Sequence, residues 1–368
     1  MTLTPESATW LQNVSGASSI EDVQQVQTLW SGYGQILRVK LKQPSWPDLA
    51  SNTTACRATS VIVKQISPPG LNEPSGGHPR GWNTSQSHRR KLQSYEVESA
   101  FYAQHSSQCN EFCRVAKCFA QADLPSGQIM VLEDLDDAGF PVRHHSLDAT
   151  GVNQGLRWLA NFHATFLHSA KQADRNWDDR DQADQWSELW PVGTYWHLAT
   201  RPDELDAMPS GTLKDAASAL DDRLNQSEFQ TLVHGDAKVA NMCFADDPNR
   251  FPAMVDFQYV GRSCGMKDVA YFLSSCMSES DCERNESRYL ATYFEALHDA
   301  MSTRGIDQVD FATLESSWRH LYPIAWADFV RFLEGWCPGH AKLTGYSRRM
   351  VEIAMDHLND EHDRSASD

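Results

Sequence analysis

Hydrophobic and polar positions repeat with two different periods along this chain, and the change of period divides it. From Val23 to Lys42 β-branched and aromatic residues are concentrated, interrupted by Ser31-Gly32-Tyr33-Gly34. This pattern predicts two strands joined by a glycine turn. Thr59 to Ile66 reads T-S-V-I-V-K-Q-I, a third strand with one charge, Lys64, inside an apolar run. Upstream, Thr4-Pro5-Glu6 places a capping residue before a proline at the first helical position, which predicts a short helix over residues 4–14. Pro68 to Gly81 is rich in proline and glycine and predicts a long surface loop. Arg89-Arg90-Lys91 lead into a helix through Tyr95, Glu98, Phe101 and Tyr102. Gln128 to Leu132 predicts a short buried strand, and the polar run Glu133–Gly139 then reads as a connector. The boundary falls there, between an N-terminal lobe of residues 1–134 and a C-terminal lobe of residues 135–368.

Beyond the connector the period is mostly helical. Leu156, Leu159, Ala160, His163, Phe166 and Leu167 fall on one helical face. A β-rich island at residues 230–260 interrupts the helices with T-L-V-H, N-M-C-F-A and P-A-M-V-D-F-Q, the last two joined by the turn Asp246-Asp247-Pro248-Asn249. Helices resume from Lys267. Strands first, then helices with a small embedded hairpin, give an α+β, two-lobed fold.

Composition narrows the function. A length of 368 residues is enough for two cores, and 41% hydrophobic with 22% charged residues rules out a mainly disordered chain. The net charge of −17 argues against nucleic acid or an anionic membrane as the partner, because the far field repels polyanions. It leaves ATP open, since local lysines and Mg²⁺ can capture it. No apolar run is long enough to span a membrane, and the first basic residue is Arg38, so no secretory leader is expected. The nine cysteines are scattered, which fits reduced thiols in a cytoplasm. Cys109, Cys113 and Cys118 lack zinc-site spacing and read as small buried hydrophobes.

The candidate chemistry sits in the island. His234-Gly235-Asp236-Ala237-Lys238-Val239-Ala240-Asn241 leaves one strand as a polar loop and enters another, and Asp256 ends the next apolar strand in V-D-F-Q. A turn between two β segments brings Asp236, Asn241 and Asp256 around one small volume. One carboxylate can orient a hydroxyl nucleophile, while an amide oxygen and a second carboxylate suit Mg²⁺. These are the oxygen donors that phosphoryl transfer uses.

H-x-D-x-K-x-x-N followed by V-D-F resembles the catalytic loop and metal-binding motif of the protein-kinase-like superfamily. The H-G-D form with D-F-Q after it is most similar to the aminoglycoside phosphotransferase and choline kinase branch, and within it to the ecdysteroid-kinase-like group. The resemblance implies a protein-kinase-like fold with a β-rich N-lobe and a mostly helical C-lobe, binding ATP and Mg²⁺. It makes Asp236 the base that holds the acceptor hydroxyl, Asn241 and Asp256 the metal ligands, and His234 a structural member of the loop. Lys238 would lie near the γ-phosphate. Lys64 would meet the α- and β-phosphates, partnered by Glu98 in preference to Glu96 on helical phase. Leu132-Glu133-Asp134-Leu135 resembles the hinge that meets adenine, which brings in Glu133 and Leu135. Leu159–Ala164 resembles the helix behind the catalytic loop. Gly32 and Gly34 form a plausible phosphate lid, although the third glycine of a kinase phosphate loop is missing.

Only twelve positions separate Asp256 from Asp268. A protein kinase needs a longer segment there for a peptide shelf, so the expected acceptor is a small hydroxylated molecule. Trp318, Tyr322 and Trp326, spaced four apart, share a helical face if Pro323 does not break it, and aromatic faces can hold a quaternary ammonium. Core packing is the competing reading of that stripe. Asp328 is a candidate partner for a cationic acceptor. A nucleotide-binding pseudokinase scaffold is the alternative, disfavoured by the intact Lys64, Asp236, Asn241 and Asp256. Oligomeric state is left open.

Overall fold

The computed structural model describes residues 3–29, 32–42, 58–68, 84–169 and 186–365. Helix α1 (Pro5–Ser15) starts where expected, with the Thr4 hydroxyl accepting from the Ser7 N–H and Gly16 closing the helix in the left-handed region. An antiparallel five-stranded sheet follows. It contains β1 (Ser19–Thr28), β2 (Gly34–Lys42), β3 (Ser60–Ile66), β5 (Cys118–Leu124) and β6 (Gly127–Glu133), in the order β1-β2-β3-β6-β5. Strand β5 was not anticipated: C-F-A-Q-A-D-L has no β-branched residue to mark it.

Central strand β3 is covered on both faces. Val61 and Val63 point into a core shared with Leu11 of α1 and with Leu37 and Val39. Alternation therefore turns Ile62, Lys64 and Ile66 to the other face. That face is covered by α2 (Thr84–Ala100), which passes through one π-helical turn at Phe101–His105.

After Glu133 the chain turns sharply at residues 135–139, and the C-terminal region is helical. Its main helices are α3 (Ala149–Thr165), α4 (Met266–Cys276), α5 (Glu279–Thr303), α6 (Phe311–Trp336) and α7 (Gly345–Ser365). Every residue of α6 from Leu321 to Leu333 is buried, and Pro323 sits inside the helix without ending it. A helix buried on all sides belongs in the middle of a domain, and α6 packs against α4 and α7. Two small sheets embed the polar loop: β4 (Arg114–Val115), β10 (Ala253–Met254) and β9 (Met242–Cys243), and then β11 (Gly261–Ser263), β8 (Phe229–Val233) and β7 (His168–Ser169). The expected α+β order, a β-sheet region followed by a helical region, is what the chain adopts. The loop expected at Pro68–Gly81 lies outside the described residues apart from Pro68. Among the described residues the cysteines are free thiols, and no helix is long and apolar enough to cross a membrane.

Candidate active site

Lys64 reaches the cleft because β3 fixes its direction. The ammonium pairs with the Glu98 carboxylate, and both side chains are buried. Glu96, two residues away, points to solvent, as helical phase requires. Burial raises the Glu98 carboxyl against the opposing pull of Lys64. Lys64 Nζ also lies 3.9 Å from Asp256 Oδ1. A second cation converges here that the sequence had not marked: Lys91. Its ammonium donates to Gln258 Oε1 at 2.7 Å and lies 4.7 Å from the centre of the Tyr95 ring. Burial lowers Lys91 to about 8, with Asp256 pulling the other way.

The loop after β8 is held from below. Asp268, fully buried at the start of α4, accepts from the His234 N–H at 2.6 Å and from the Gly235 N–H at 3.0 Å. His163 of α3 reaches the same carboxylate at 3.3 Å. Gly235 has φ +75°, and a Cβ there would stand 2.1 Å from the Tyr259 carbonyl, so only glycine makes the turn. His234 Nε2 meets the Val255 carbonyl at 3.0 Å, which ties the loop to the segment just after β10 that bears Asp256. His234 is thus built into the backbone network.

On this support Asp236 faces the cleft with two close partners. Lys238 Nζ donates to its Oδ2 at 2.7 Å. Asn241 Nδ2 donates to the same Oδ2 at 3.1 Å and to the Asp236 carbonyl at 2.9 Å. Desolvation raises the Asp236 carboxyl, and Lys238 offsets only part of that. For Asp256 the balance reverses. Burial works against its charge, but Lys64, Lys91 and Lys238 together hold the carboxyl below its ordinary value. Two carboxylates in one cleft are therefore tuned apart, the more basic one beside the loop lysine.

Asp256 has φ +71°, a left-handed conformation rare outside glycine. Its Oδ1 is buried without a hydrogen-bond partner. Asn241 commits its amide nitrogen to Asp236, which leaves Oδ1 as its free donor atom to a cation. A carboxylate oxygen without a hydrogen-bond partner and the Asn241 amide oxygen are both donors that suit a hard cation such as Mg²⁺. No set of three His, Cys, Asp or Glu ligands clusters among the described residues.

At the hinge, the Glu133 N–H donates to the Lys117 carbonyl at 2.8 Å, and the Leu135 carbonyl accepts from the Phe140 N–H at 2.8 Å. The Glu133 carboxylate pairs with Arg114, so any contact with a base would be through the main chain. Gly34 is needed for packing: a Cβ there would be 2.0 Å from the Gln65 carbonyl. Gly32 has open space around it, and Ser31 of the same turn lies outside the described residues. Between them, buried Tyr33 bonds His88 of α2 and pins the hairpin down.

The expected acceptor residues are placed elsewhere. Trp318 is fully buried and donates to the Phe229 carbonyl at 3.2 Å. Tyr322 meets the Tyr346 hydroxyl at 3.2 Å, and Trp326 donates to Ser347 Oγ at 3.1 Å. Asp328 is taken up by Arg331 at 2.8 Å, the Trp196 indole at 2.9 Å and Lys267 at 3.4 Å. All four belong to the interior of the helical region, because α6 is covered on every side. Tyr195 and Tyr271 stand beside Asp236 and pack into a buried aromatic cluster with Trp196, Phe329 and Phe332. The Asp236 charge raises the hydroxyls of both Tyr195 and Tyr271, after burial. Tyr195 and Tyr271 lie in unrelated segments, so no sequence spacing announces them.

The profile of the ecdysteroid kinase-like family matches residues 79–183, and one described as uncharacterized oxidoreductase dhs-27 matches residues 215–335, each under a third of the chain. The second span contains the loop His234–Asn241 and Asp256. No curated protein matches in sequence. Among solved structures, the chain is similar to a putative aminoglycoside phosphotransferase from Ralstonia eutropha at 12% identity and a TM-score of 0.44, over 95% of this chain and 94% of that one. It is similar to an ethanolamine kinase of Plasmodium vivax at 11% identity and 0.44, over 98% and 95%. A microcompartment-associated aminopropanol kinase gives 11% identity and 0.42, over 95% and 94%.

Proposed function

We propose that this chain is an ATP- and Mg²⁺-dependent phosphotransferase that moves the γ-phosphate to a hydroxyl of a small molecule. The observation that carries the reading is convergence. One cleft receives the Lys64–Glu98 pair, the raised carboxyl of Asp236 and the depressed, orphaned carboxylate of Asp256. The match of residues 79–183 to a kinase-like family agrees with it.

In this reading Lys64 and Lys91 hold nucleotide phosphates, and Glu98 keeps Lys64 aimed. Asn241 and Asp256 would hold Mg²⁺, which when bound supplies positive charge to the phosphate oxygens. Asp236 accepts the hydrogen bond of the acceptor hydroxyl and orients it in line with the phosphorus; its raised basicity suits it to take the proton. Lys238, paired to Asp236 at rest, is positioned to balance negative charge on the transferring group. The main chain at Glu133–Leu135 borders the adenine. Residues 1–134 and 135–368 act as the nucleotide and acceptor lobes.

A protein kinase reading is weaker. Between Asp256 and Asp268 the chain forms only β11 before α4 begins at Met266, and Gly261 is packed so closely that a Cβ would lie 2.2 Å from the Trp190 carbonyl. That leaves no shelf for a peptide. A pseudokinase scaffold is disfavoured by the complete set of polar groups in the cleft. The test is a coupled ADP-release screen over amino alcohols, aminoglycosides, sterols, sugars and hydroxy acids. Saturable Mg²⁺-dependent turnover with one class supports the reading; no ADP release with any class removes it.

A further inference from the structure

The aromatic wall beside Asp236 carries one more charged group, Lys342, in the segment between α6 and α7. Its Nζ lies 5.1 Å from the centre of the Tyr271 ring and 5.5 Å from that of Phe329. The backbone at this point is anchored. The Lys342 N–H donates to His340 Nδ1 at 3.1 Å, and its carbonyl accepts from Ser347 Oγ at 2.7 Å, the hydroxyl that also receives the Trp326 indole N–H. Buried Trp326 thus acts on the wall through Ser347 and Lys342.

Among the described residues no carboxylate lies within ion-pairing distance of Lys342. The carboxylates joined to other members of the cluster are already taken: Glu204 by Arg201, whose guanidinium lies over Tyr195 and Phe332, and Asp328 by Arg331 and Lys267. Asp236 is the one carboxylate acting on Lys342, and it is bonded to Lys238. Burial lowers Lys342 to about 8, so its charge is held at a cost that an anion would relieve. A cationic acceptor seated here would meet two ammonium groups.

We propose that the acceptor carries a carboxylate, that this carboxylate pairs with Lys342 while the hydroxyl lies at Asp236, and that amine acceptors are excluded. The inference rests on the phosphotransferase reading and names its substrate class. Lys342, partly exposed above the rings of Tyr271 and Phe329, would fix the far end of such a molecule.

Three matched probes test it: para-hydroxymethylbenzoate, its primary amide, and para-hydroxymethylbenzylamine. Calorimetric binding to the full chain, with ADP and Mg²⁺ present, should favour the benzoate over the amide by about tenfold or more, the worth of one charge-assisted hydrogen bond. The amine should bind more weakly still. Lys342→Met should erase the benzoate preference, and Lys342→Arg should retain most of it, with melting curves showing that both fold. Equal affinity for the three probes, preference for the amine, no binding of the benzoate, or an unchanged preference in Lys342→Met each overturns the proposal. The underlying reading fails separately. If ATP with Mg²⁺ neither binds nor is split while the benzoate preference still depends on Lys342, the anion site stands and the kinase reading falls.

Discussion

The ring of Phe257 lies flat against that of Phe101, with centroids 4.1 Å apart and planes 11° from parallel. Phe257 follows Asp256, and Phe101 stands one helical turn after Glu98. The stack therefore ties the orphaned carboxylate in the C-terminal region to the helix that aims Lys64. His234 also touches Phe257, with centroids 4.6 Å apart, so the loop bearing Asp236 rests on the same ring. Three polar elements contributed by distant segments share one apolar bed.

Removing that bed should harm stability and the site together. Phe257→Ala should cost about 3–5 kcal/mol through cavity formation. Phe294→Ala, equally buried in α5 away from the cleft, should cost a similar amount. Only Phe257→Ala should also shrink the extra melting-temperature rise given by ATP with Mg²⁺. Equal nucleotide responses in the two variants would separate the stack from the site.

Asp256→Ala removes the carboxylate assigned to the metal. Wild-type protein should gain thermal stability from ATP with Mg²⁺ by mass action, and the variant should lose the Mg²⁺-dependent part of that gain. A full Mg²⁺-dependent shift in Asp256→Ala would place the metal elsewhere.

Lys91 gives a pH signature. It is charged below about 8 and neutral above it, and bound phosphates favour the charged form. ATP binding should take up a proton near that value, so affinity should fall as pH rises above about 8. In Lys91→Met affinity should already be lower at pH 7, by about tenfold, and its decline above about 8 should be flatter. Isothermal titration across this range reads both effects; an unaltered slope in the variant would remove Lys91 from the phosphate site.

Lys238→Met keeps the stem and removes the charge. If the ammonium balances the transferring phosphoryl group, kcat should drop by roughly 10- to 10³-fold, the range for loss of one stabilising donor, while ATP affinity changes little. A raised acceptor KM with kcat untouched would instead place Lys238 at the acceptor mouth.

How far these features can be read from sequence depends on the range of the signal. Lys64 sits in a short apolar run, and helical phase separates buried Glu98 from exposed Glu96, so local periodicity suffices to pair them. The H-G-D loop and V-D-F are close in sequence, and a turn between strands brings them together. The aromatic group beside Asp236 has no such local code. Tyr195, Tyr271 and Lys342 come from three separate segments, and they become neighbours only where the fold packs Tyr195 and Lys342 against the Tyr271 ring. Trp318, Tyr322 and Trp326 show the converse: their spacing is visible, but distant segments bury the stripe, β8, α3 and α5 over Trp318 and α7 over Tyr322 and Trp326. Lys91 was hidden in Arg89-Arg90-Lys91, which looks like a solvated charge run until Gln258 and Tyr95 are seen beneath it.

The central claim is that Asp236 positions and deprotonates an acceptor hydroxyl beside bound nucleotide. The most direct measurement is steady-state ADP release, with the acceptor found by screening, in wild type and Asp236→Asn, alongside the ATP dissociation constant of each. The variant keeps an oxygen that can accept a hydrogen bond but lacks the negative charge. We expect kcat to fall by a factor on the order of 10² or more with ATP affinity nearly unchanged, the pattern of an interaction made mainly in the transition state. Turnover close to wild type in Asp236→Asn would contradict the account.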